Sequence, residues 1–173
     1  AEQLLQPDRL LQDVERPADG EELLLETARL LLLASRPEIL FVLCGEGPAK
    51  KELVEQAASL PNLRFLELQP EEKLNELVNL ADAHLLPQLA DAADLVMPSK
   101  LSTMLASGKP VIAGAYPGTQ ISQVLDIMGI VIQPENAAAL AESLIKLYEN
   151  PAERLRLGNL GRAYACQHLD KEV

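Results

Sequence analysis

Short apolar runs alternate with helix-like segments along most of this chain, and this alternation constrains the fold more than any other feature. The apolar runs are too short for helices and several are closed by glycine or proline, which is typical of strands buried on both faces of a sheet. Because parallel strands need helical crossovers between them, the pattern predicts an α/β fold. We expect a Rossmann-like three-layer domain, with a parallel sheet and helices on both faces.

The predicted strands lie at residues 39–44, 63–68, 83–86, 110–113 and 129–132. The predicted helices lie at residues 20–35, 48–59, 70–80, 98–106, 119–125, 136–148 and 151–168. The start of the chain fits less well, because Leu10 and Leu11 look helical and no strand is evident before the helix at Gly20. We therefore divide the chain into an N-terminal linker or helical segment, 1–19, and an α/β domain, 20–173.

Composition and charge exclude several classes of partner. The formal net charge is −11, aromatic residues are 3% of the chain and Trp is absent. Binding to a nucleic-acid backbone or to an anionic membrane surface is therefore disfavoured, and base stacking on aromatic rings is scarce. Neither a signal peptide nor an apolar run long enough to cross a bilayer is visible. We expect a cytoplasmic protein without direct membrane insertion, and peripheral association of a full-length protein stays open.

The turn Gly45-Glu46-Gly47 lies between a predicted strand and a predicted helix. Glycines there permit positive φ and a close approach of the backbone to a ligand, and a helix N-terminus favours phosphate. As a dinucleotide fingerprint the segment fails, because Lys50 occupies the third glycine position. The same residues are compatible with a tight turn that holds no ligand.

A second candidate feature is the predicted helix start at Met97-Pro98-Ser99-Lys100. Proline suits the first helical position, and the amide groups of the first turn can hold an anion. Lys100 opposes the helix dipole there, which points to a negatively charged ligand, although a solvated surface lysine is the alternative.

The remaining reactive side chains suggest structural roles. Cys44 lies in an apolar run and is interpreted as a buried thiol, far in sequence from Cys166. His84 and His168 do not form a set and are each interpreted as structural. Motifs typical of metal sites, phosphate-binding loops and catalytic serines are absent from the sequence, so we assign no metal ligand and no catalytic residue.

Five segments in this order resemble the C-terminal, nucleotide-sugar-binding domain of GT-B, family 4-type glycosyltransferases. They are RPEILFVLCGEG at 36–47, LRFLELQP at 63–70, LADAHLLP at 80–87, DLVMPSKL at 94–101 and MLASGKPVIA at 104–113. The branch that includes the colanic-acid biosynthesis glycosyltransferases is the most similar, from about Gly20 to the C-terminus.

This resemblance implies a donor-binding domain of a glycosyltransferase in polysaccharide or glycoconjugate biosynthesis. Its substrate would be a nucleotide sugar, with no further cofactor. Leu68 and Gln69 would border the base, and the helix start at Pro98-Ser99-Lys100 would face the diphosphate. An N-terminal acceptor-binding domain, which this chain does not contain, would complete the active site, so the isolated domain is expected to be inactive.

The sequence departs from the family at two positions. The family's pair of glutamates, eight positions apart, would fall on Leu95 and Thr103, so Ser102 or Thr103 offers at best a weaker hydroxyl contact to the ribose. Two alternatives therefore stay open. One is a non-catalytic scaffold that keeps the fold without the site, and the other is a dinucleotide-binding domain of an oxidoreductase, which Lys50 disfavours.

Overall fold

The computed structural model of the protein describes residues 9–13, 19–33, 35–47, 50–87 and 99–169. Six strands in these ranges form one sheet in the order β3-β2-β1-β4-β5-β6, and every neighbouring pair is parallel. The strands are β1 Arg9–Asp13, β2 Leu40–Cys44, β3 Leu63–Leu66, β4 Ala83–Leu86, β5 Val111–Gly114 and β6 Gly129–Ile132.

Seven α-helices connect and cover these strands. They are α1 Asp19–Leu33, α2 Lys50–Gln56, α3 Leu74–Asn79, α4 Ser99–Ala106, α5 Gln120–Leu125, α6 Ala137–Glu149 and α7 Pro151–His168. A 3-10 turn, Glu71–Lys73, leads directly into α3. Every predicted helix and strand is found, with ends shifted by a few residues, so the predicted α/β architecture is confirmed.

Helices cover both faces of the sheet, as the three-layer prediction requires. Phe41 and Leu43 of β2 pack with α1, α2 and α6 in the largest core cluster. Val42 and Cys44 lie on the opposite face, because side chains alternate along a strand, and they pack with α3. Val111 of β5 lies in the same row as Val42 and packs with α4, α5 and α7.

The expectation that no strand precedes Gly20 is wrong. Residues 9–13 form β1, which pairs with β2 on one side, Leu10 opposite Phe41, and with β4 on the other, Leu10 opposite Ala83. These residues therefore belong to the centre of the sheet and not to a linker. The segment Arg9–Asp13 carries two leucines and no β-branched residue, so its local preference does not distinguish strand from helix.

Local signals set several helix starts. The side chains of Thr119, Asn136 and Asn150 each accept a hydrogen bond from a backbone N–H three residues later, which is the N-cap arrangement. Pro151 occupies the first turn of α7. Among the described helices, none is long and apolar enough to cross a membrane.

Candidate functional site

A pocket of about 450 Å³ lies between the loops that follow β2 and β3 and the helices α3 and α4. These loops follow the carboxyl ends of parallel strands, where open α/β sheets bind their ligands. Seven residues singled out from the sequence line this pocket, namely Gly45, Glu46, Leu68, Gln69, Ser99, Lys100 and Thr103. Two loops and one helix that are distant in sequence therefore meet at one place.

Two of the predicted site residues do not line the pocket, and two others lie outside the described residues. Gly47 is exposed, and a Cβ placed there would meet nothing within 4 Å. Ser102 lies on α4 and is half-buried, and it is not one of the residues that line the pocket. Met97 and Pro98 lie outside the described residues, as does Leu95.

The pocket has an apolar wall that the sequence analysis missed. The additional lining residues are Cys44, Leu74, Leu77, Val78, His84 and Met104. Leu74 is 42% exposed and Leu68 is 68% exposed, so both offer apolar surface at the pocket. The helical spacing of Leu74, Leu77 and Val78 on one face of α3 is the signal that could have identified this wall.

The loops after β2 and β3 are joined by an ion-pair network. The Lys50 Nζ lies 2.6 Å from Glu46 Oε1 and 3.3 Å from Glu67 Oε2. The hydrogen bond from Lys50 holds the pKa of Glu46 below its ordinary value, and Glu46 raises the pKa of Lys50. Lys50, which occupies the third glycine position of a dinucleotide fingerprint, thus forms ion pairs with two carboxylates at the edge of the pocket.

Cys44 adds a second connection between the same two loops. Its thiol is buried, as predicted, and donates a hydrogen bond to the backbone carbonyl of Glu67 over 3.2 Å. The Gln69 side-chain amide donates to the same carbonyl over 2.8 Å. The backbone carbonyl that precedes Leu68 therefore accepts hydrogen bonds from two side chains.

Gly45 has φ 152°, a conformation that L side chains rarely adopt, so the predicted need for glycine is confirmed at this position. On the opposite side of the pocket, α4 begins at Ser99, and its first turn carries Lys100 and no acidic residue. The N-terminal turn of a helix with a cation beside it is a favourable environment for an anion.

His84 is the least exposed polar residue of the pocket wall, with 1% of its surface accessible. Its Nε2 lies 3.0 Å from the Ser107 hydroxyl, and burial, with Lys109 nearby, lowers its pKa to about 4. The structural interpretation of His84 agrees with this burial, but its place beside the pocket was not predicted. His168 lies exposed at the end of α7, stacked near Tyr164.

A cluster of three metal-ligating side chains is not found within the described ranges. The features that could hold a ligand here are the backbone amides and Lys100 of α4, the hydroxyl of Thr103, the turn at Gly45 and the apolar wall. Together they suit an anionic ligand that also has an apolar part.

Comparison with known proteins identifies the family. The model of the family "Glycosyl transferases group 1" matches residues 16–164. The putative colanic acid biosynthesis glycosyl transferase WcaI of Escherichia coli is 31% identical over 139 residues, which are 78% of this chain and 33% of WcaI. A GDP-mannose-dependent monoacylated alpha-(1-6)-phosphatidylinositol monomannoside mannosyltransferase of Corynebacterium glutamicum is 29% identical over 153 residues, 86% of this chain and 39% of that protein. The chain thus spans little more than a third of the length of these curated relatives.

Solved structures show the same fold. The catalytic domain of the cholesterol-alpha-glucosyltransferase from Helicobacter pylori has a TM-score of 0.76 at 19% identity, over 94% of this chain and 99% of that domain. HepE from Anabaena, solved in complex with UDP-glucose, has a TM-score of 0.75 at 19% identity, over 95% of this chain and 45% of HepE. The sequence match covers most of the chain and the fold agrees with it, so this chain belongs to the glycosyl transferases group 1 family.

Proposed function

We propose that this chain binds a nucleoside diphosphate sugar in the pocket between the β2 and β3 loops and α4. It would be the donor-binding domain of a glycosyltransferase in polysaccharide or glycoconjugate biosynthesis. The observation that carries the proposal is the meeting of Gly45, Leu68 and the first turn of α4 around one pocket at the ligand-binding edge of the sheet. The UDP-glucose complex of HepE, a protein of the same fold, supports it.

The pocket suggests how the donor lies. The base fits the apolar side formed by Leu68 and Leu74, next to the backbone at Gln69. The diphosphate then lies toward Ser99 and Lys100, where helix amides and a cation face it. Thr103, one turn further along α4, offers its hydroxyl to the ribose between them.

This placement has a chemical consequence for glycosyl transfer. Negative charge grows on the diphosphate as the glycosyl–phosphate bond breaks. Helix amides and Lys100 aimed at that charge would stabilise the transition state more than the bound donor. The donor is a substrate, and the proposal needs no further cofactor.

The acceptor would bind to another part of the full-length enzyme, and we expect the isolated domain not to catalyse transfer. We further propose a cytoplasmic location, in keeping with Cys44 and Cys166, which are not joined in a disulfide. Peripheral contact with a membrane would be made outside this domain, whose net charge of −11 opposes an anionic surface.

Thermal unfolding with UDP, GDP, ADP, NAD and inorganic phosphate, each near a millimolar, tests the proposal. A ligand at about 100 times its dissociation constant stabilises the folded state by roughly 2.7 kcal/mol, which is several degrees for a domain of this size. We expect a clear shift with one nucleoside diphosphate and little with NAD. A shift with NAD alone would instead support a dinucleotide-binding domain.

A non-catalytic scaffold is the second candidate function. Thr103 favours it, because this pocket residue stands where the family has a glutamate. A scaffold predicts no shift with any nucleotide in the same panel.

A further inference from the structure

His84 is one of few polar side chains buried within the described part of the chain, the others being Thr27, Asn62 and Thr119. It lies on β4, on the face of the sheet that α4 covers, in one row with Val42 and Val111. A buried ring nitrogen without a hydrogen bond is costly, so its partner decides what the residue does there.

The hydrogen bonds of Ser107 assign the tautomer of His84. A hydroxyl has a single proton, and the Ser107 hydroxyl donates it to the backbone carbonyl of Met104 over 2.6 Å. The contact of 3.0 Å between Ser107 Oγ and His84 Nε2 must then be a hydrogen bond that the imidazole donates. The backbone N–H of Lys109 donates to the same oxygen over 3.2 Å. Nε2 therefore carries a proton, and the ring is neutral near pH 7 because burial and the nearby Lys109 lower its pKa to about 4.

Ser107 lies at the end of α4, where the chain turns toward β5. Its hydroxyl satisfies one of the last carbonyls of the helix, that of Met104, and its own N–H donates to the carbonyl of Thr103. His84 thus ties the C-terminal end of α4 to the middle of the sheet. The other end of the same helix carries Ser99 and Lys100 at the pocket.

We propose that His84 is a positioning residue of the nucleotide site, which acts by donating to Ser107 and so sets the orientation of α4. The helix has eight residues and is about 12 Å long. A tilt of about 5° at its anchored end moves its first turn by about 1 Å, and a displacement of that size is enough to lose well-aligned hydrogen bonds to a ligand. The expected effect on nucleotide binding rests on the function proposed above. The expected effect of His84 on the orientation of α4 does not depend on that function.

Three substitutions test the role of this hydrogen bond. His84→Leu removes the donor and keeps an apolar side chain, and Ser107→Ala removes the acceptor but leaves the imidazole in the pocket wall. His84→Gln keeps an N–H donor close to the position of Nε2. Asn62→Ala is the matched control, because it removes another buried hydrogen bond, from Asn62 to the carbonyl of Ala28, which does not involve α4.

Amide hydrogen exchange of residues 99–106 is the first measurement, at a temperature where every variant is folded. We expect exchange about tenfold faster in His84→Leu and Ser107→Ala, near wild-type rates in His84→Gln, and no selective change in Asn62→Ala. Wild-type exchange of α4 in both His84→Leu and Ser107→Ala would overturn the proposal. If His84→Leu does not fold, Ser107→Ala decides alone.

Calorimetric titration with UDP and GDP is the second measurement. For whichever nucleotide binds the wild type, we expect about tenfold weaker binding in Ser107→Ala and in His84→Leu. The double variant should bind no more weakly than either single variant. His84→Gln should bind with an affinity near that of the wild type. Additive losses would mean that His84 acts on the ligand directly and not through Ser107. Absence of binding to the wild type would contradict the proposed function, and the exchange experiment would still decide the role of His84.

Discussion

Gly158 of α7 lies directly against Gly108, so closely that a Cβ at position 158 would overlap the Gly108 carbonyl oxygen and lie 2.8 Å from its carbonyl carbon. The turn at Gly108 has φ 73°, which glycine alone adopts at low cost, and glycine in this conformation commonly ends a helix. The C-terminal end of α4 therefore contacts both the backbone of α7 and His84 of β4.

We expect Gly158→Ala to destabilise the protein. Within a helix this substitution ordinarily stabilises by up to about 1 kcal/mol, because glycine is the poorer helix former. Here the added methyl group pushes α7 away from the Gly108 turn, and overpacking of this kind costs about 1–3 kcal/mol. Urea unfolding measures the sign, with Asn159→Ala on the exposed side of the same helix as a control that is neutral or slightly stabilising.

Stability should fall as the pH is lowered from about 6.5 to about 4. Burial first and Lys109 second lower the pKa of His84 to about 4 in the folded state, whereas an unfolded histidine has a pKa near 6.5. Between these values the unfolded chain binds a proton that the folded chain does not, so the stabilisation is complete above 6.5 and is lost as the pH falls through 4. The full loss is roughly 3 kcal/mol.

Urea unfolding at pH 7, 6 and 5 measures this slope. The carboxylates Glu46 and Glu153, whose pKa values are lowered, contribute mainly below pH 4.5. His84→Gln should therefore flatten the dependence between pH 7 and 5. An unchanged slope in His84→Gln would show that other groups cause it.

Lys100→Ala should weaken binding of a nucleoside diphosphate about tenfold and binding of the corresponding nucleoside much less. The physical reason is the loss of a cation beside the first turn of α4, where the diphosphate is proposed to lie. Isothermal titration with UDP and uridine, or GDP and guanosine, measures both. Equal losses would remove Lys100 from the phosphate, and Lys51→Ala, on the exposed side of α2, should change neither.

Thr103→Glu should strengthen binding of the same nucleoside diphosphate about tenfold. A carboxylate at this pocket position can accept hydrogen bonds from the ribose hydroxyls, and bonds to a charged group contribute about 1.5–3 kcal/mol. The 2′-deoxy nucleotide, which lacks one hydroxyl, should gain less. Thr103→Gln is the matched control without the charge, and an equal gain for both nucleotides would mean that the ribose lies elsewhere.

The alternation of apolar runs and helical segments was sufficient to predict the parallel sheet, since each run bounded by a turn is a local signal. The positions of several helix ends likewise depend on interactions between residues close in sequence. Asn136 accepts a hydrogen bond from the N–H of Ala139 over 2.9 Å, only three residues away, so the cap could be predicted from neighbouring residues alone. Gly108, which follows α4 closely in sequence, is a signal of the same local kind for the end of that helix.

The tertiary structure decided what depends on partners distant in the chain. Arg9–Asp13 is a central strand because β2 and β4 provide hydrogen bonds on both its sides, which no pattern within five residues reveals. His84 and Ser107 are 23 positions apart and meet only because α4 crosses the face of β4. The sequence by itself thus determined the elements other than β1, together with the helix caps, through interactions within one or two turns. Only tertiary packing decided the order of the strands, the apolar wall of the pocket and the anchor of α4, because these contacts form only between elements already placed by the whole fold.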